Sequence, residues 1–126
     1  MQDYKQYGAL ALAYMGDSVF EIIVRKKLME KGNMPVNMLH KTAKQYVSAA
    51  AQSEIFKKLE PVLTEEEMSI YKRGRNSKPY TKAKNASVED YSRATGVEAL
   101  FGYLYLTENF KRLKDLSEHI FDSEEC

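Results

Sequence analysis

The chain has 126 residues, of which 44% are hydrophobic, 11% aromatic and 29% charged. This composition excludes a disordered polypeptide, and the length predicts one domain over residues 1–126 with a hydrophobic core of its own. The net charge is +1, and the single cysteine, Cys126, excludes an intramolecular disulfide and a cysteine-based zinc site.

The sequence has no segment typical of a secreted or membrane protein. Its first residues, MQDYKQYG, contain no basic stretch followed by an apolar one. The longest apolar run, near residues 97–106, is interrupted by Glu98 and is too short to span a bilayer. The absence of such segments and the presence of a single cysteine predict a cytoplasmic protein that does not enter a membrane.

The first half of the chain predicts three helices. Apolar residues recur every three or four positions and do not alternate, which is typical of an all-α fold. The first helix is predicted over residues 7–31, because Gly32 and Pro35 prevent its continuation. Asn37 is a candidate cap for the next helix. Residues 38–59 are helix-forming throughout, and we expect Ser48 to cap a separate third helix.

The second half predicts three more helices and one long loop. Thr64 and Glu67 have capping-box spacing, and the helix that they open should stop at Gly74. Residues 75–86 lack an apolar period and predict a loop about twice the usual length. Ser87 opens a helix that runs through Tyr105, and a final amphipathic helix is predicted over residues 110–121.

Positive charge is concentrated between Tyr71 and Val88, where the sequence has six basic residues and no acidic one. The remainder of the chain therefore has a net charge of about −5. The basic residues are Lys72, Arg73, Arg75, Lys78, Lys82 and Lys84. Such a patch is suited to a polyanion, although a solvated loop kept soluble by its charge fits the composition equally well.

Asp17 lies in the apolar stretch LALAYMGDSVFE, residues 10–21. Its neighbours predict that the carboxylate is at least partly buried, which costs free energy unless a cation or hydrogen-bond donors compensate. One explanation is a structural stripe of charge, because Glu21 and Arg25 follow at four-residue spacing on the same helix face. The other explanation is a functional site.

Glu98 is a second acid within an apolar helix, in the stretch ATGVEALFGYLYL. Gly102 follows one turn later, where the missing side chain would let another helix approach closely. Two carboxylates from separate helices are suited to Mg²⁺, which takes oxygen ligands and keeps several waters. The structural alternative is a glutamate paired with an arginine or a lysine.

The chain resembles the ribonuclease III family over nearly its whole length. The family's signature helix, which carries a catalytic aspartate, is similar to YMGDSVFE, and its second acidic segment is similar to ATGVEALFGYLYL. The two intervening stretches, LHKTAKQYVSAAAQSEIFKKL and EEEMSIYKRGR, also resemble the family. LALAYMGD and KRGRN are similar to the Mini-III branch, in which the nuclease domain stands without a double-stranded-RNA-binding domain.

Three positions depart from the full-length members of the family. Those proteins have acids one and two turns before the aspartate, where this chain has Ala13 and Leu10. They have another acid three residues before the glutamate, where this chain has Thr95. Asp17 and Glu98 are then the only matched acids. A tightly held pair of metal ions is harder to build, so the number of metals stays open and we expect weak Mg²⁺ binding without RNA. Thr95 could orient a metal-bound water or bond to a backbone carbonyl.

The resemblance implies a compact all-α homodimer in which part of the signature helix packs against its twin. It implies hydrolysis of double-stranded RNA with Mg²⁺, leaving 5′-phosphate and 3′-hydroxyl ends, in the maturation of large-subunit (23S) ribosomal RNA. Asp17 and Glu98 would be the catalytic and metal-binding residues. The RNA-binding residues would be Lys72, Arg73, Arg75, Lys78, Lys82 and Lys84.

Two other functions stay open from the sequence. The chain could be a non-catalytic factor that binds structured RNA or assists ribosome assembly while keeping the nuclease fold. It could also be a helical adaptor that binds other proteins through its acidic remainder. An adaptor would have no salt-sensitive affinity for duplex RNA, whereas a nuclease or a non-catalytic RNA-binding factor would have one.

Overall fold

The computed structural model describes residues 3–77 and 87–121. Within those ranges the chain forms α-helices and two short 3₁₀ helices, with no strand. The helices are α1 (Ala9–Lys31), α2 (Val36–Val47), α3 (Ala49–Leu59), α4 (Glu65–Arg75), α5 (Val88–Leu106) and α6 (Phe110–Phe121). The predicted all-α fold is confirmed.

The capping residues explain why the helix bounds could be predicted closely. The Ser48 hydroxyl accepts a hydrogen bond from the Ala51 amide at 3.2 Å, which separates α3 from α2. Thr64 and Glu67 form the predicted capping box, with hydrogen bonds of 3.1 and 2.9 Å. The Ser87 hydroxyl accepts from the amide of the third residue of α5 at 3.0 Å. Each side chain satisfies a backbone group that the helix itself leaves unpaired.

Three predicted bounds were wrong by one or two residues. α1 begins at Ala9 and not at residue 7, because the backbone of Gly8 is extended and this glycine is the N-cap of α1. α2 begins at Val36, because the Pro35 carbonyl accepts the first hydrogen bonds of the helix, from the amides of Met38 and Leu39, and Asn37 lies within the first turn. α4 continues through Gly74 to Arg75, since this glycine packs against the backbone of α5 instead of ending the helix. The predicted loop at 75–86 lies outside the described residues from position 78 onward.

α5 is the central helix, and α1, α3 and α4 pack around it. Almost every residue from Ala94 to Leu104 is buried, as expected for a helix that is apolar on all sides. Phe101 of α5 contacts Phe20 of α1, with ring centroids 5.5 Å apart. α6 covers one end of this core through Leu116 and Ile120, both fully buried.

α1 and α5 touch through two glycines. A Cβ atom on Gly16 would overlap the backbone carbonyl of Glu98, and one on Gly102 would overlap the backbone carbonyl of Leu12. Because no side chain separates the two helices here, their backbones lie in direct contact. This contact places the residue after Gly16, Asp17, beside the helix that carries Glu98.

A buried ion pair attaches α6 to the beginning of α4. The Arg112 guanidinium donates to both carboxylate oxygens of Glu67, at 2.7 and 2.8 Å, and to the Val62 carbonyl at 2.6 Å. The Glu67 side chain is only 7% exposed, so loss of Arg112 would leave a buried charge without its partner and would destabilise the fold. None of the helices in the described part of the chain is long and apolar enough to cross a membrane.

Substitution of Gly102 tests the backbone contact between α1 and α5. We expect Gly102→Ala to lower the free energy of unfolding by about 3 kcal/mol, because the new methyl group would overlap backbone atoms that have little freedom to move. Thermal and urea unfolding followed by circular dichroism measure this change.

Gly8→Ala is the matched control for Gly102→Ala. A Cβ on Gly8 meets no atom within 4 Å, and this residue has a φ of −61°. Its substitution should cost no more than about 1 kcal/mol, the usual effect at a helix N-cap. Equal stability of the two variants would contradict the close contact.

Candidate active site

Asp17, Gln52 and Glu98 come from α1, α3 and α5 and line one surface cleft of about 390 Å³. The structure therefore brings together the two acids predicted from the sequence, which are 81 positions apart. The other residues that line this cleft are Leu10, Ala13, Tyr14, Val47, Ala49, Tyr91, Ala94 and Thr95.

The two carboxyl groups interact directly. Glu98 is largely buried, and the negative charge of Asp17 acts on it across the cleft. No ion pair involves either acid among the residues that the structure describes, so the predicted alternative of an arginine or lysine partner for Glu98 does not occur there. Its hydrogen-bond partner is instead Gln52, whose Nε2 donates to Glu98 Oε2 at 3.3 Å.

The expectation that Asp17 would be buried was wrong, because this residue is exposed. Helical periodicity explains the difference. Gly16, Val19 and Phe20 face the core, whereas Asp17 lies between these positions on the face that borders the cleft. The predicted charge stripe is also incomplete: Arg25 Nε donates to Glu21 at 3.1 Å, and Asp17 is not part of this pair.

Glu98 has an unusual proton affinity. Burial raises its pKa from 4.5 to about 7, the negative charge of Asp17 acts in the same direction, and the hydrogen bond from Gln52 opposes both. The isolated carboxyl pair therefore holds a proton near neutral pH. A divalent cation would relieve both the burial and the repulsion, so the arrangement favours cation binding.

The donor set fits a hard cation that keeps part of its water shell. Within the described ranges, no group of three or more His, Cys, Asp or Glu side chains lies close enough to hold a metal ion. Two carboxylates with open space around them are enough for Mg²⁺ when waters and a phosphate complete the coordination. The Thr95 hydroxyl donates to the Tyr91 carbonyl at 3.0 Å, which is the structural use expected for a helix threonine.

Six basic residues were predicted to bind RNA, and the structure describes three of them. Lys72, Arg73 and Arg75 lie at the end of α4 and not in the cleft. Lys72 is exposed. Arg73 donates to the backbone carbonyls of Lys5 at 2.9 Å and of Tyr7 at 2.5 Å, so it holds the N-terminal segment against α4. Arg75 Nε donates to the Asn76 side chain at 3.1 Å. Lys78, Lys82 and Lys84 lie outside the described residues.

Gln52 is the site residue that the sequence reasoning missed. Its side chain is 2% exposed, although glutamine is usually a surface residue. A signal was present: Gln52 precedes Ile55, Phe56 and Leu59 at helical spacing, which places an amide on the apolar face of α3. A polar residue at such a position needs a partner, and here the partner is Glu98.

Comparisons with known proteins agree with this geometry. Residues 10–109 match the family model described as "Ribonuclease III domain". The chain is 50% identical over 118 residues to the Mini-ribonuclease 3 of Enterococcus faecalis, covering 92% of this chain and 89% of the relative. It is 48% identical over 118 residues to that of Streptococcus pneumoniae, covering 92% of each.

A solved structure has the same fold. The crystal structure of a protein from Fusobacterium nucleatum superposes with a TM-score of 0.85 at 32% sequence identity. The match covers 98% of this chain and 99% of that protein. The similarity therefore extends over the whole helical arrangement and includes the helices that carry both acids.

The raised pKa of Glu98 predicts how the stability of the metal-free protein depends on pH. Below pH 4.5 this carboxyl is protonated in both the folded and the unfolded chain. Between pH 4.5 and about 7 only the unfolded chain releases the proton, so the free energy of unfolding should fall as the pH rises, by up to about 3 kcal/mol. Urea unfolding in EDTA across this range measures the loss.

Glu98→Gln should remove this pH dependence. The variant is expected to equal the wild type in stability at pH 4.5 and to exceed it at pH 8, because glutamine resembles the protonated acid. Glu54→Gln is the matched control, since Glu54 is exposed and pairs with Lys57 at 3.0 Å. Parallel stability profiles for the wild type and Glu98→Gln would contradict the assignment.

Proposed function

We propose that this chain, which belongs to the ribonuclease III family and is an endoribonuclease, cleaves double-stranded RNA with Mg²⁺ as its cofactor. The observation that carries the proposal is the meeting of Asp17 and Glu98 in one open cleft without a cationic partner among the described residues. We further propose that its substrate is a precursor of 23S ribosomal RNA in the cytoplasm, as the resemblance to the Mini-III branch implies.

Asp17 and Glu98 would hold the ion, directly or through water. When bound, Mg²⁺ supplies an activated water for in-line attack and stabilises the charge that develops on the phosphate oxygens. Glu98 must give up its proton for this role, so the cation and the proton compete for this carboxyl group and the affinity for the cation should rise with pH. Asp17 is exposed and therefore lies on the side from which a phosphate would approach.

The proposed RNA surface combines this cleft with the basic residues near the end of α4. Duplex RNA presents phosphates and 2′-hydroxyls across a wide and shallow minor groove, and proteins bind it mainly by shape and charge. Lys72, Arg73 and Arg75 provide positive charge from the described part of the chain. We assign Lys78, Lys82 and Lys84 to the same surface because they continue this basic segment in the sequence.

We also propose that the chain is a homodimer, which would place two clefts against the two strands of one duplex. The support is the exposed apolar surface of α1, the helix that carries Asp17. Ile22 is 64% exposed and Met29 is 56% exposed, which is unusual for large apolar residues on a helix of the core. Sedimentation velocity on the intact chain tests this assembly, and a monomer at micromolar concentration would contradict it.

Substitution of the two acids tests the proposed activity. Asp17→Asn and Glu98→Gln should each lower the rate of duplex RNA cleavage at least about 100-fold, because the cation loses a charged ligand. The substrates are a stem from a 23S precursor and an unrelated duplex of the same length, and gel electrophoresis of end-labelled RNA measures the rates.

Glu21→Gln is the matched control for the acid substitutions. Glu21 lies one turn after Asp17 on α1 but pairs with Arg25 and does not line the cleft. This variant should keep the wild-type rate. If the wild type and Asp17→Asn were equally inactive and both bound the duplex, the non-catalytic RNA-binding function would replace the proposal.

Lys72→Ala tests the RNA surface. We expect weaker binding of duplex RNA and a decrease of about 1 in the slope of log affinity against log salt concentration, as for the loss of one phosphate contact. Lys57→Ala is the control, because Lys57 is exposed on α3 and paired with Glu54. Fluorescence anisotropy at several salt concentrations measures both variants, and identical slopes would exclude Lys72 from the surface.

A further inference from the structure

The amide of Gln52 makes two hydrogen bonds through its nitrogen. Nε2 donates to the backbone carbonyl of Val47 at 3.1 Å and to Glu98 Oε2 at 3.3 Å. Val47 is the last residue of α2, where backbone carbonyls have no partner within the helix. One N–H of the amide therefore fixes the glutamine to the end of α2, and the other reaches the carboxyl group of α5.

The two acceptors determine the orientation of this amide. The opposite orientation would bring Oε1 of Gln52 against the Val47 carbonyl, which has no hydrogen to donate. The amide nitrogen is thus held toward Glu98 by a contact that does not depend on the protonation of the carboxyl group. A side chain that is 2% exposed has little freedom to leave this position.

The acceptor side of the same amide has no partner within the described structure. Oε1 of Gln52 is buried and makes no hydrogen bond. A buried polar atom without a partner destabilises a fold, and an apolar side chain of the same shape would avoid this. Packing alone therefore does not explain glutamine on the apolar face of α3, whereas a donor that is anchored on the Val47 carbonyl and directed at Glu98 does.

We propose that Gln52 is a positioning residue of the candidate active site: its Nε2 donates to Glu98 Oε2 and orients this carboxyl group in the cleft, where Glu98 and Asp17 would hold the cation. The inference rests on the proposed Mg²⁺-dependent cleavage and deepens it by naming what orients the buried ligand. Groups that orient metal ligands affect metal affinity strongly without touching the metal.

Gln52→Met tests this role, because methionine has nearly the same shape and no N–H group. We expect the affinity for Mn²⁺, measured by electron paramagnetic resonance on the RNA-free protein, to fall about 10- to 100-fold. The Mg²⁺ concentration for half-maximal cleavage should rise by a similar factor. The KM for duplex RNA at saturating Mg²⁺ should stay unchanged, and the melting temperature should change by only a few degrees.

Ser53→Ala is the matched control on the same helix. Ser53 is also a buried polar residue, at 1% exposed, but its hydroxyl accepts from Arg93 at 3.3 Å and it does not line the cleft. This variant should bind Mn²⁺ like the wild type. An equal loss in both variants, or wild-type Mn²⁺ affinity in Gln52→Met, would overturn the inference.

The Mn²⁺ measurement separates failure of this inference from failure of the proposed function. If the wild type bound Mn²⁺ but did not cleave duplex RNA, the proposed function would be wrong, and weaker binding by Gln52→Met would still support the positioning role. If the wild type cleaved RNA and Gln52→Met had unchanged metal dependence, only the role of Gln52 would be wrong.

Discussion

Direct backbone contact between α1 and α5 at Gly16 and Gly102 is the constraint on which the candidate active site depends. Packed helices are ordinarily about 8–10 Å apart because side chains separate them. Here no side chain intervenes, so two carboxyl groups on different helices can interact while their backbones remain helical. The site therefore needs no loop to bring the acids together, because both are carried by helices of the core.

The two acids do not share the same environment, and this difference has consequences for stability and chemistry. Glu98 is largely buried and held by Gln52, whereas Asp17 is exposed. A buried carboxyl beside a second acid destabilises the metal-free fold once it ionises, so the folded chain retains a proton near neutral pH. A cation that replaced the proton would remove this cost, because the ionised form of Glu98 would then be the favoured one. The relief of the cost would contribute to the affinity for the cation.

The sequence allowed the helices and the two acids to be predicted, because capping residues and apolar spacing are local signals. Ser48, Thr64 and Ser87 determine where helices begin whatever packs around them. The exposure of Asp17 and the partner of Glu98 are not local properties. They depend on which face of α1 and α3 meets α5, and neighbours in sequence on a helix point in different directions. The apolar neighbours of Asp17 therefore predicted the wrong burial for this residue. The neighbours of Glu98 did not identify Gln52 as its partner.

The basic residues at the end of α4 show why charge alone is a weak guide to RNA contact. Positive side chains at a helix C-terminus stabilise the helix dipole whether or not a ligand binds. Arg73 also donates to the carbonyls of Lys5 and Tyr7, and these residues lead directly into α1. Its replacement would disturb the helix that carries Asp17 as well as remove a charge. Lys72 is exposed and makes no such bond to any residue that the structure describes, so the effect of its charge can be separated from the fold.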